Sequence, residues 1–64
     1  MKYLVEAYEQ VGKKRATVIQ NSSIFDSEEK CKKFIDNWTH HYKLSSRKVT
    51  FKIFNERWNP EKFK

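Results

Sequence analysis

Apolar and polar residues alternate from Lys2 to Gln10, with Tyr3, Val5 and Ala7 on one side and Leu4, Glu6 and Tyr8 on the other, which predicts a first strand. VGKKR, Val11 to Arg15, breaks the alternation with the chain's one Gly and three bases. Gly12 there supplies the positive φ that a hairpin loop needs. A second strand rich in β-branched residues follows from Arg15 to Gln20, antiparallel to the first. The alternation assigns Ala16 and Val18 to one face and Thr17 and Ile19 to the other.

The period then changes. Cys31, Phe34, Ile35, Trp38 and Tyr42 recur at spacings of three and four, so all five fall on one stripe of a helix running to about Lys43. Asp26-Ser27-Glu28-Glu29 has the capping-box form, with Asp26 as the cap and Glu29 reaching back. The polar side of the helix sets Glu29 four residues from Lys33 and Asp36 four from His40. Leu44 to Arg47 reads as a connection. From Lys48 to about Asn55 a third strand places Val49, Phe51 and Ile53 on one face and Thr50, Lys52 and Phe54 on the other. Asn59-Pro60-Glu61 has a helix-start signature with room for a single turn.

These elements predict an α+β fold, β-β-α-β, a three-stranded antiparallel/mixed sheet in the order 2-1-3, the first strand antiparallel to both neighbours, with one helix packed on one face. The covered face is expected to be Tyr3, Val5, Ala7, Ala16, Val18, Val49, Phe51 and Ile53. Residues 1–58 read as one small domain and 59–64 as a short tail, docked or free. With a single helix the other face stays open: Leu4, Glu6, Tyr8, Thr17, Ile19, Thr50, Lys52 and Phe54, with Trp58 just beyond. An open face of an antiparallel sheet is usually polar, and this one is not. Three covers fit it. The tail folds back, with Trp58 and Phe63 closing over the sheet; a second protein docks there, either another copy or a different target; or the aromatics stack unpaired bases while Lys and Arg take the phosphates.

Charge bears on that choice. The 64 residues carry a formal net charge of +6, with an isoelectric point near 9.6. Residues 1–29 hold four bases against five acids, and residues 30–64 ten bases against three acids. A field of that strength favours polyanionic partners by attraction and counterion release. The reading that follows is a small basic, non-enzymatic binding module that engages nucleic acid. Lys13, Lys14, Arg15, Lys48, Lys52 and Arg57 are its candidates for phosphates, and Tyr8, Phe54 and Trp58 for stacking. Arg47 to Phe54 meets the signature strand of the RNA-recognition motif only at Arg47, Phe51 and Phe54, with Lys48 and Thr50 at its glycine positions, so no family is assigned. The alternative is a protein-interaction module using the same aromatic face on an acidic protein surface or on a second copy, forming a homodimer. An accessory or inhibitor protein of the kind a phage or mobile element encodes would fit.

Other chemistry finds little footing. His40 and His41 project about 100° apart on a helix and do not chelate together, so no metal site and no cofactor are expected. Cys31 lies on the apolar stripe, where a thiol stays protonated, more than two helical turns from either histidine. No phosphate-cradling glycine loop or acid/base cluster points to an enzyme or to a small-molecule substrate. One cysteine excludes a disulfide framework, and the N-terminal residues carry neither a signal-peptide nor a membrane-span pattern, so the expected setting is cytoplasmic with no membrane partner.

Overall fold

Tyr3–Glu9 (β1) lies at the centre of a three-stranded sheet, flanked by Thr17–Asn21 (β2) and Val49–Asn55 (β3), with both pairings antiparallel. The computed structural model describes all 64 residues. Helix Glu28–Leu44 (α1) crosses from β2 to β3, and a 3-10 turn, Pro60–Phe63, ends the chain. The architecture is therefore the predicted α+β arrangement in the order β2-β1-β3.

β1 and β3 pair without interruption from Tyr3 opposite Asn55 to Glu9 opposite Val49. Cross-strand partners share a face, so Val5 with Ile53 and Ala7 with Phe51 form the helix side, and Leu4 with Phe54 and Glu6 with Lys52 form the open side. Val5, Ala7 and Cys31 are fully buried between helix and sheet. The stripe read from the sequence continues as a row of rings. Phe25 meets Phe34 at 5.9 Å, Phe34 meets Trp38 at 6.2 Å, Trp38 meets Tyr42 at 5.7 Å and Tyr42 meets Phe51 at 6.2 Å. Burial, with a smaller push from Glu28, raises the Cys31 thiol above its ordinary pKa, so it stays a protonated core group.

β2 departs from the expected alternation. Val18 stands opposite Tyr8 and Thr17 opposite Glu9, so Val18 faces the open side and Thr17 the helix side, the reverse of the assignment from the sequence. The cause is a bulge: the register skips Ile19 between the pairs Tyr8–Val18 and Ala7–Gln20. The extra residue turns Gln20 toward the helix, where its side-chain oxygen accepts a hydrogen bond from the Tyr42 hydroxyl at 2.6 Å. Beyond Asn21 the ladder becomes irregular. The Ser22 amide still donates to the Val5 carbonyl at 2.8 Å, but the return bond, from the Val5 amide, goes to the Ser22 hydroxyl at 2.8 Å, and Phe25 then bridges Tyr3.

The helix start is corrected as well. Ser27 is the N-cap and its hydroxyl accepts from the Lys30 amide, whereas Asp26 pairs with the Lys30 ammonium at 2.9 Å instead of capping. That pair joins the residue before the cap to the first helical turn; on the helix itself Glu29 with Lys33 and Asp36 with His40 do not close. At the other end the Ser46 amide reaches the Lys43 carbonyl (3.2 Å) and the Arg47 amide the Tyr42 carbonyl (3.3 Å), a Schellman closure. It requires a left-handed residue, and Ser46 occupies that position at φ 58°. Ser46→Gly is therefore expected to stabilise the fold by about 0.5–1 kcal/mol, the relief of left-handed strain less the entropy that glycine adds to the unfolded chain. Thermal denaturation should show a rise of about 2–8 °C. A fall would mean that Ser46 is not held in this conformation.

Candidate anion-binding pole

Two turns meet at one end of the sheet. β1 runs out at Glu9 and its continuation, Gln10, donates its amide to the Lys48 carbonyl at 3.0 Å, which seats the hairpin loop beside the entry to β3. The loop is braced from within. The Gln10 side-chain amide donates to the Gly12 carbonyl at 3.1 Å and also to the Lys14 carbonyl, and the Lys14 amide returns to Val11 at 3.3 Å. Gly12 sits at φ 63°, the left-handed geometry anticipated for this loop.

Arg47 ties the helix exit to the same place. Its guanidinium forks onto the Glu9 carboxylate at 2.7 and 2.8 Å and stacks over the Tyr42 ring at 5.3 Å. The hydrogen bond from Arg47 and its charge hold the Glu9 carboxyl below the ordinary range against a smaller desolvation penalty, and Glu9 in turn raises the Arg47 guanidinium. Arg47 and Glu9 thus neutralise each other, while Lys13, Lys14, Arg15, Lys43 and Lys48 have no carboxylate partner. Residues 9–16 and 43–49 hold six bases and one acid, a net of +5, whereas the rest of the chain holds eight bases against seven acids. The division by halves of the sequence, which put the positive field in residues 30–64, is thereby replaced: the field belongs to one pole built from both halves.

The remaining candidates lie elsewhere. Lys52, opposite Glu6, holds its ammonium 5.2 Å from the centre of the Tyr8 ring, and the Tyr8 hydroxyl donates to Glu6. The tail returns to this face: Lys62 pairs with Glu6 at 2.9 Å and stands 4.4 Å over the Phe54 ring. Leu4 and Glu6 are consequently buried, at 8% and 9% exposure. Trp58 is different. The strand ends at Asn55, whose side chain accepts from the Trp58 amide at 2.8 Å and whose carbonyl accepts from Asn59 at 2.9 Å, so Trp58 belongs to a turn and not to the face of Phe54. It remains 74% exposed under the Arg57 guanidinium, which sits 5.7 Å from the ring centre, at the end of the sheet opposite the basic pole. Tyr8, Phe54 and Trp58 therefore form no common stacking platform. Lys43, at the helix exit, joins the pole although it is not among the phosphate candidates read from the sequence.

The Glu6 cluster makes stability depend on pH. Burial opposes ionisation of Glu6, but hydrogen bonds from Tyr8 and Lys62 and the charges of Lys62 and Lys52 together outweigh it and lower its pKa. The hydrogen bond to Glu6, then burial and the Glu6 charge, push Tyr8 from 10.0 to about 12. A raised tyrosine contributes stability that is complete below pH 10.0 and disappears as pH climbs through about 12. Glu6 acts in the other sense, contributing above the ordinary carboxylate range and losing that contribution as pH falls through its lowered pKa. Between pH 10 and about 12 the melting temperature of the wild type should fall faster than that of Tyr8→Phe, which has no phenol to ionise. Parallel curves would mean that the Tyr8–Glu6 bond does not form.

No pocket opens on the surface, no three metal-ligating side chains converge, and no helix is long and apolar enough to cross a membrane. Set beside models of protein families, curated proteins and solved structures, the chain matches none of them.

Proposed function

We propose that the protein is a non-enzymatic binding module whose basic pole takes the phosphate backbone of a nucleic acid. The observation that carries this reading is the meeting of two turns that present Lys13, Lys14, Arg15, Lys43 and Lys48 without a single carboxylate partner. Five like charges at one end repel one another, and a polyanion that fits among them relieves the repulsion and releases its own counterions. Because Tyr8 and Phe54 are flanked by Lys52 and Lys62, the contacts are to phosphates and not to stacked bases, which makes the binding tolerant of sequence. The setting proposed is cytoplasmic, where the Cys31 thiol stays reduced.

Anisotropy titration of labelled single-stranded and duplex oligonucleotides at low and raised salt tests the reading, with a steep loss of affinity on adding salt as the expected result. Absence of binding at low salt would remove it. One observation favours a second reading: Trp58, exposed and stacked under Arg57, has the composition of an interface anchor for a heterologous protein.

A further inference from the structure

The two edges of the sheet are not alike. β2 is only five residues long and is bulged at Ile19, which spoils its outer edge as a template. β3 is regular along all seven residues and contains no proline. The phase of its ladder follows from two bonds at its ends, the Gln10 amide to the Lys48 carbonyl and the Glu56 amide to the Lys2 carbonyl, each 3.0 Å. In an antiparallel pair with that phase, Thr50, Lys52 and Phe54 aim their amide and carbonyl at β1, while Val49, Phe51 and Ile53 aim theirs outward. No hydrogen bond outside the ladder ends on those outward groups.

We infer that the outer edge of β3 pairs with β3 of a second copy, antiparallel about a two-fold axis at Phe51, to give a six-stranded sheet. This goes beyond the nucleic-acid reading and does not depend on it. The chain itself selects the register. Centring the axis on Lys52 would set that ammonium opposite its own copy at the close spacing of a non-hydrogen-bonded pair. Centring it on Ile53 would require the Asn55 carbonyl, which already accepts from Asn59. Centred on Phe51, Val49 meets Ile53 of the other copy, Phe51 meets its counterpart, and Lys52 meets Thr50. Only groups with no partner of their own are used. Ile53, on the helix side yet 39% exposed, gains Val49 as a neighbour.

Charge and surface agree with the same axis. Two copies each carrying +6 repel, but an antiparallel arrangement sends their basic poles to opposite ends. Each pole then lies beside the other copy's end that carries Glu56 and Arg57, where acid and base balance. The same operation brings the end that carries Leu44, 76% exposed, alongside the end that carries Trp58, 74% exposed, the two most exposed large apolar side chains in the molecule.

Amide hydrogen exchange by NMR at micromolar and millimolar protein, with sedimentation at the same concentrations, tests the pairing. Thr50, Lys52 and Phe54 should be protected throughout, whereas Phe51 and Ile53 should gain protection only as the dimer forms. Ile53→Pro deletes an outward amide and no bond to β1, so it should leave the monomer folded by circular dichroism. It should weaken dimerisation about tenfold or more, since both copies lose a hydrogen bond. A wild type that stays monomeric at millimolar concentration overturns the inference, and so does a dimer in which Phe51 and Ile53 exchange freely.

Discussion

Tyr42→Ala is expected to remove about a third or more of the stability of the fold. Tyr42 joins the helix to both outer strands: its ring contacts Trp38 at 5.7 Å and Phe51 at 6.2 Å, its hydroxyl reaches Gln20 at 2.6 Å, and its carbonyl receives the closing amide of Arg47. Removing a buried aromatic costs about 3–5 kcal/mol, while a chain of this size has only about 3–10 kcal/mol of stability in total. The melting temperature should drop by about 15–30 °C. Tyr42→Phe, which keeps the ring and strips the donor from Gln20, should cost about 1 kcal/mol and lower melting by about 4–8 °C. Circular dichroism melts of the two variants separate ring from hydroxyl. A loss of a few degrees in the alanine variant would show that the row of rings from Phe25 to Phe51 is not what holds the helix down.

Replacing Lys13, Lys14 and Arg15 together by Gln should change the salt dependence of oligonucleotide binding more than any other substitution of equal charge. If five bases each neutralise one phosphate of a single strand, log K falls with log salt at a slope of about −3.5, about a 10²-fold loss between 50 and 200 mM. Removing three leaves a slope of about −1.4 and a loss of about 10²-fold in affinity near 0.1 M salt. All three side chains are exposed and unpaired, so the melting temperature should barely move. Lys32, Lys33 and Lys64, replaced in the same way, alter net charge equally but lie outside the pole and should leave the slope near its wild-type value. Equal slopes for the two triple variants would mean that net charge alone attracts the polyanion, and the pole would lose its meaning.

The helix stripe, the strand order and the core positions Val5, Ala7, Cys31 and Tyr42 were legible because burial imposes a period that the residues themselves display. β2 was not, because a bulge changes parity without changing composition; the hydroxyl of Tyr42, 22 residues away, is what Gln20 turns to meet. The cap failed for a related reason. Asp26 and Ser27 are both good caps, and the Lys30 ammonium, by taking Asp26, leaves the position to Ser27. The pole was half visible: Lys13, Lys14, Arg15 and Lys48 stood out as phosphate candidates, but Lys43 did not, and the Glu9–Arg47 fork that joins its two turns spans 38 residues with no local pattern to announce it. Trp58 was misplaced because the alternation from Val49 to Phe54 was extended past a turn that Asn55 initiates with its own side chain.

The irregularity of β2 has a consequence for how far assembly can go. A sheet with two good edges is divalent and polymerises, adding copies without limit. Here the skipped Ile19, in a strand of only five residues, leaves one edge without the even spacing a further strand would need, so each chain has a valence of one. The pairing inferred for β3 would use up that valence in a single step, and growth would stop at two.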